Sequence, residues 1–212
     1  MSGLLDLLNS PMGKQLISGV AGQTGQSEGK TADVLSMAMP LLMGAMKRNA
    51  STQSGAEGLM NALSSKHDGS ILDDLGGLFG GGVDQSVMDD GAGILGHILG
   101  AKQPQVENAL SSKSGIDAGS ISQILKIAAP IVLGYLGKQT RQQNLSSPDA
   151  LTGLLGGLMG GSNTQKEQSL IETFLDSDGD GSVIDDLAGM VLNSGGKKSG
   201  GLGGLLGGLF GK

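Results

Sequence analysis

The chain contains no cysteine and no tryptophan, and aromatic residues make up only 2% of its 212 residues. The absence of cysteine excludes disulfides and thiol catalysis. With so few rings, the apolar 38% of the chain consists mainly of aliphatic residues and ten methionines. Flexible side chains of this kind predict a helical interior that is packed without rigid aromatic groups.

Positive charge is also scarce. No basic run exceeds the pair Lys47–Arg48, and the formal net charge is −6. A nucleic-acid partner normally requires a basic stripe, so the sequence argues against one. A DNA-binding alternative would rest only on that pair and on Lys138 and Arg141.

Targeting signals are missing as well. The N-terminus lacks the basic segment and long apolar core of a secretory signal. The apolar run at 37–46 is too short to cross a bilayer. Together these features predict a cytoplasmic protein.

What the sequence does contain is internal repetition. The stretch "VLSMAMPLLMGAMKRN" at 34–49 aligns without a gap with "ILKIAAPIVLGYLGKQ" at 124–139, displaced by 90 residues. Pro40 falls on Pro130 in this alignment, and Gly44 on Gly134. The pattern predicts a tandem duplication. Its parts are a helical repeat at 1–90, a second at 91–193 and a Gly/Leu-rich low-complexity tail at 194–212.

Apolar residues in both copies recur at three- and four-residue spacing, which is typical of helices. The sequence therefore predicts an all-α, multihelical fold built from a roughly 90-residue helical unit. Because proline removes a backbone donor, Pro40 and Pro130 predict bent or split helices. Further helices are predicted at 11–20, 55–65, 103–112, 148–159 and 166–175.

An acidic motif occurs three times, as "HDGSILDDL" (67–75), "VDQSVMDDG" (83–91) and "GDGSVIDDL" (179–187). In each copy a serine stands three residues before an aspartate. This spacing predicts a capping box at the start of a helix. The pairs are Ser70 with Asp73, Ser86 with Asp89, and Ser182 with Asp185.

The third copy has an additional pair of aspartates, Asp176 and Asp178. With Asp180 and Gly181 they form Asp-x-Asp-x-Asp-Gly, the start of an EF-hand calcium loop. Leu187 stands where an EF-hand has its bidentate glutamate, so the loop would close earlier. The predicted ligands of one Ca²⁺ ion are Asp176, Asp178, Asp180, Ser182, Asp185 and Asp186. The alternative is a solvated acidic helix cap without metal.

The N-terminal stretch "GLLDLLNSPMGKQLI", the proline-containing apolar helices and the closing aspartate loop together resemble the bacterial YidB-like family. The resemblance covers most of residues 1–193. It implies a multihelical fold and a bacterial source. It brings no catalytic residues with it.

No catalytic constellation is evident, because His67 and His97 are far apart in sequence and neither has an obvious nucleophile beside it. We therefore expect a non-enzyme without a small-molecule substrate. The leading hypothesis is a structural or interaction protein that forms a homo-oligomer or binds a protein partner. Adaptable Met-rich surfaces would suit this role, although a core stripe is the favoured interpretation of Met37, Met39, Met43 and Met46. The alternative is a peripheral membrane or envelope-associated protein anchored by its Leu/Gly-rich ends.

Overall fold

The structure is a computed structural model that describes residues 4–160, with the side chains of residues 7–158. The regular secondary structure of this part of the chain is entirely helical, with no strand, which confirms the all-α prediction. The helices are α1 (Leu4–Asn9), α2 (Pro11–Thr24), α3 (Glu28–Asn49), α4 (Gln53–Ser65), α5 (Leu75–Gly80), α6 (Gln85–Ile98), α7 (Gln103–Ser114), α8 (Ala118–Gln142) and α9 (Pro148–Gly160). Short 3-10 turns lie at Ser70–Leu72 and Gly100–Lys102.

Four of the helices predicted from periodicity are present as α2, α4, α7 and α9, and the fifth, at 166–175, lies outside the described residues. Pro11, Pro104 and Pro148 lie in the first turns of their helices, where a missing N–H costs nothing. Side-chain oxygens of Ser27 and Asp117 cap α3 and α8. Local signals of this kind fix where the helices begin.

Of the two predicted effects of proline, a bend or a split, the split is wrong, because both long helices are continuous. Pro40 lies inside the continuous helix α3, and Pro130 lies inside α8. An interior proline costs about 3 kcal/mol. The burial of apolar side chains on both sides of each proline outweighs this cost. Pro130 has no N–H to donate to the Lys126 carbonyl, and that oxygen instead faces the backbone of Gly91 in α6.

The α2–α3 pair and the α7–α8 pair correspond at the 90-residue displacement. The first helix of each pair ends at a glycine with a left-handed φ angle, which is 67° at Gly25 and 66° at Gly115. Every buried position of α3 has a buried counterpart in α8. The tandem duplication itself stays a prediction, and its boundary at residues 90 and 91 falls inside α6. Residues of both halves share one hydrophobic core.

Helix α8 lies at the centre of this core. Eleven successive residues, Ile127 to Gly137, are buried. It is long and apolar enough to cross a membrane by length and composition, but 72% of its apolar window is buried inside the fold. Its apolar side chains are therefore used in packing.

The methionines of α3 are also used in packing. Met39, Met43 and Met46 are at most 1% exposed, and only Met37 is half-buried. This distribution agrees with the core interpretation of the stripe rather than with an exposed Met-rich groove.

Candidate functional site

All six predicted calcium ligands, Asp176 to Asp186, lie outside the described residues. Within residues 4–160, no three acidic or histidine side chains come together in a way that could hold a metal ion. The two described copies of the acidic motif nevertheless show what this motif does in the fold.

The capping-box prediction is wrong for both described copies. In the first copy, Asp74 rather than Ser70 caps the following helix, and its carboxylate accepts from the Gly77 N–H at 2.8 Å. In the second, α6 begins at Gln85, so Ser86 already lies inside the helix. The sequence offers several short polar residues at each helix start, and tertiary packing selects among them.

The first copy instead packs against the C-terminal half of α8. Asp73 accepts a hydrogen bond from Lys138 Nζ at 2.9 Å, and Asp68 pairs with Arg141 Nη1 at 2.9 Å. These contacts involve two of the basic residues on which the DNA-binding alternative rested. The second copy also lies against α8, because it forms the first half of α6.

Glycines allow the first copy to approach α8 closely. A Cβ at Gly137 would overlap the His67 carbonyl, and one at Gly134 would lie 2.6 Å from Ile71 Cγ2. Gly69, with φ 105°, turns the chain over Lys138. Backbone and side-chain donors of Ser70 lower the pKa of Asp68, and Arg141 adds to the effect. The motif is therefore a docking segment for a central helix.

A recess next to this segment lies between α4 and α6, and we call it the α4–α6 groove. Its volume is about 440 Å³. Leu59 and Ala62 line one wall, Ile94 and Ile98 line the other, and Leu133 of α8 contributes to the floor. The polar lining consists of Asn49, Lys66, His67, Asp89, Asp90 and His97. The groove thus has an apolar centre with charged groups around it.

His67 is the buried polar group of this groove. It is 7% exposed, and its Nε2 atom lies 3.5 Å from the Asp90 carboxylate. Burial lowers the pKa of His67, and Lys66 lowers it further against the opposing effect of Asp90. Burial thus favours the neutral form of this imidazole, which lies next to a carboxylate.

The sequence did not predict that both histidines line one groove. They come together because the chain turns between α4 and α6, and no local pattern encodes this proximity. The only usable signal was the helical spacing of Asp90, Ile94 and His97, which places them on one face of α6. The polar side chains that line the groove are histidine, aspartate, asparagine and lysine.

Comparison with known proteins gives the family. A family model described as "Bacterial protein of unknown function (DUF937)" matches residues 6–139 and 142–212. No curated protein and no solved structure matches the chain. The narrower YidB-like name stays a prediction that is consistent with this match. Because the match covers nearly the whole sequence, the chain belongs to this bacterial family of unknown function, DUF937.

Proposed function

We propose that this protein is a non-enzymatic helical interaction protein that self-associates through the α4–α6 groove. The observation that supports the proposal is the apolar centre of the groove, formed by Leu59, Ile94 and Ile98 and flanked by charged side chains. Protein interfaces commonly combine an apolar centre with a polar rim. Grooves between helices are also a recurrent way of binding another helix.

A second copy of the chain is a suitable occupant because the two walls differ in charge. Lys66 follows α4, whereas Asp89 and Asp90 lie on α6. In a two-fold dimer each surface patch meets itself in the opposite direction. The basic wall of one copy then faces the acidic wall of the other. Gly58 and Gly93, which have open space at their missing Cβ atoms, allow close approach of the partner's backbone.

The test is sedimentation velocity of the full-length chain over a range of concentrations. Ile94→Glu puts a charge into the centre of the groove and should weaken association about 30-fold, which corresponds to a loss of about 2 kcal/mol. Ser86→Glu is the matched control, because Ser86 is exposed on the same helix and does not line the groove. Circular dichroism verifies that both variants are folded. A wild-type protein that stays monomeric, or an equal effect of both variants, would overturn the proposal.

We further propose that the aspartate loop binds one Ca²⁺ ion through the six predicted ligands. The proposal is supported by the alternation of Asp176, Asp178 and Asp180 before Gly181, which is the spacing that converges oxygen ligands on a hard cation. The first acidic copy lacks the additional aspartates, so it provides an internal control.

Calorimetric Ca²⁺ titration of the full-length chain tests this site. Asp176→Ala/Asp178→Ala should abolish saturable binding, because it removes two of the proposed carboxylate ligands. The control variant Asp68→Ala/Asp73→Ala, in the first copy, should bind as the wild type does. Absence of saturable binding to the wild-type protein would contradict the calcium proposal and leave the self-association proposal unaffected.

A further inference from the structure

We propose that the third acidic motif, residues 179–187, packs against the outer face of α3 in the same molecule, as residues 67–75 pack against α8. The outer face of α3 is defined here as Met37, Leu41, Gly44, Ala45 and Arg48. The inference does not use the α4–α6 groove. It shares Asp185 with the proposed calcium site, so it is stated and tested for the calcium-free chain. It assigns an intramolecular docking surface to a helix face and names the segment that covers it.

The first observation is a difference between two corresponding helices. The outer face of α8 consists of Ile127, Ile131, Gly134, Tyr135 and Lys138, each displaced by 90 residues from its counterpart in α3. The first four of these residues are buried, whereas all four counterparts in α3 are half-buried. The inner faces of the two helices are buried alike. The outer face of α3 thus has the apolar composition of its counterpart but less cover.

The second observation is what covers α8. The 14-residue helix α6 packs on it, followed along the helix by the segment from His67 to Leu72. Helix α3 has only the six-residue α1 in the corresponding place. Among the described residues, α9 contacts α3 as α4 contacts α8, but no 3-10 turn packs on α3 as Ser70–Leu72 packs on α8. The third motif is the remaining copy of the sequence that performs this packing.

The residues that make the contact to α8 recur in the third motif. Val183 corresponds to Ile71, whose Cγ2 would lie 2.6 Å from a Cβ at Gly134. On α3, Val183 would lie against Gly44, the counterpart of Gly134. A glycine is also present at 181, the counterpart of Gly69, whose φ of 105° favours glycine.

Charge is complementary at the corresponding position. Asp73 pairs with Lys138 at 2.9 Å, and the counterparts of these residues are Asp185 and Arg48. Arg48 and its neighbour Lys47 are exposed on the last turn of α3. An arginine can pair with a carboxylate through two parallel hydrogen bonds. The Asp185–Arg48 pair would fix the register of the segment on the helix.

One end of the segment must follow a different path. Lys47 occupies the position of Gly137, where any Cβ would overlap the carbonyl of His67 in the docked segment. Ser51 occupies the position of Arg141. Residue 179 therefore stays further from the helix than His67 does. Val183 against Gly44 carries the contact, and the Asp185–Arg48 pair adds to it.

The connection is long enough. Helix α9 packs against α3 and ends at Gly160, and 18 residues, 161–178, separate its end from the motif. An extended chain spans about 3.3 Å or more per residue, so this length reaches any part of α3. The corresponding connection after α4 is a single residue, Lys66. The longer connection accommodates the additional aspartates Asp176 and Asp178.

The absence of cysteine allows a clean crosslinking test on the full-length chain. Arg48→Cys/Asp185→Cys is treated with a short bismaleimide in the presence of a calcium chelator, and crosslinked peptides are identified by mass spectrometry. Asp73→Cys/Lys138→Cys is the positive control, because these side chains are in contact. Lys30→Cys/Asp185→Cys is the matched negative control, since Lys30 is exposed at the other end of α3.

We expect an intramolecular crosslink between positions 48 and 185 that forms about tenfold faster than in the negative control. Adding Gly44→Leu should slow the crosslink to the rate of the negative control, because the leucine side chain fills the space that Val183 would occupy. Equal rates for Arg48→Cys and Lys30→Cys would overturn the proposal. A crosslink found only in dimers would also overturn it, because the segment would then come from a second copy.

Discussion

Replacing Gly91 by alanine tests how closely α6 approaches α8. Gly91 is buried in the middle of α6, and a Cβ there would overlap the carbonyl oxygen and carbon of Lys126. Gly93, two residues later in the same helix, has no atom within 4 Å of its missing Cβ. Gly→Ala in a helix interior gains about 0.8–1 kcal/mol from helix propensity alone. At Gly93 that gain should be seen undiminished in the monomer, at protein concentrations too low for association through the α4–α6 groove.

At Gly91 the new methyl group meets a backbone carbonyl, which cannot rotate away as the end of a flexible side chain could. Overpacking of this kind costs about 1–3 kcal/mol. Because both variants share the propensity gain, their difference isolates the packing cost.

Urea unfolding followed by circular dichroism measures that difference. We expect Gly91→Ala to be less stable than Gly93→Ala by about 1–3 kcal/mol. In thermal unfolding the difference should amount to about 2–4 °C per kcal/mol for a chain of this size. Equal stability of the two variants would refute the close backbone contact between α6 and α8.

Two further substitutions test buried polar groups, again by urea unfolding. Thr31 is fully buried, and its hydroxyl has no hydrogen-bond partner among the described residues. Thr31→Val should therefore stabilise the protein by about 1 kcal/mol, whereas Thr140→Val, which removes a 2.8 Å hydrogen bond to Gly137, should not. The counterpart of Thr31 in the second repeat is already apolar, Ile121. Because the pKa of His67 is lowered in the folded state, protons bind the unfolded chain more tightly, and stability falls as the pH drops below 6.5. On acidification, His67→Gln should lose less stability than the control variant His97→Gln, in which an exposed histidine is replaced.

Each of these two predictions has an outcome that would contradict it. A Thr31→Val protein no more stable than the wild type would mean that the hydroxyl is satisfied. An unchanged pH dependence in His67→Gln would mean that another group controls the loss of stability below pH 6.5.

Helix positions could be predicted from the sequence because they depend on local signals. Pro11 and Pro148 at helix starts, and Gly25 at a helix end, act within one turn of the chain. The continuation of α8 through Pro130 could not be predicted from such local signals. Whether a proline breaks a helix depends on how much packing holds the two halves in line, and this packing comes from α6, which precedes α8 in the chain.

The candidate site was less predictable for the same reason. A Ser-x-x-Asp spacing fits a capping box, but it also fits a segment whose first two aspartates pair with basic residues of a neighbouring helix and whose third caps the next helix. The choice at Asp73 is made by Lys138, 65 residues away. Likewise, the proximity of His67 and Asp90 results from the path between α4 and α6.

The high glycine content has a structural explanation in this fold. A chain with 2% aromatic residues has few large side chains to fill the space between helices. Close packing can instead be reached by bringing the helices nearer to one another, and only glycine permits backbone-to-backbone contact. Gly91 against Lys126 and Gly137 against His67 are contacts of this type. Both lie on α8, and both involve a copy of the acidic motif. We expect the third copy, residues 179–187, to make the same kind of contact with Gly44 on the outer face of α3.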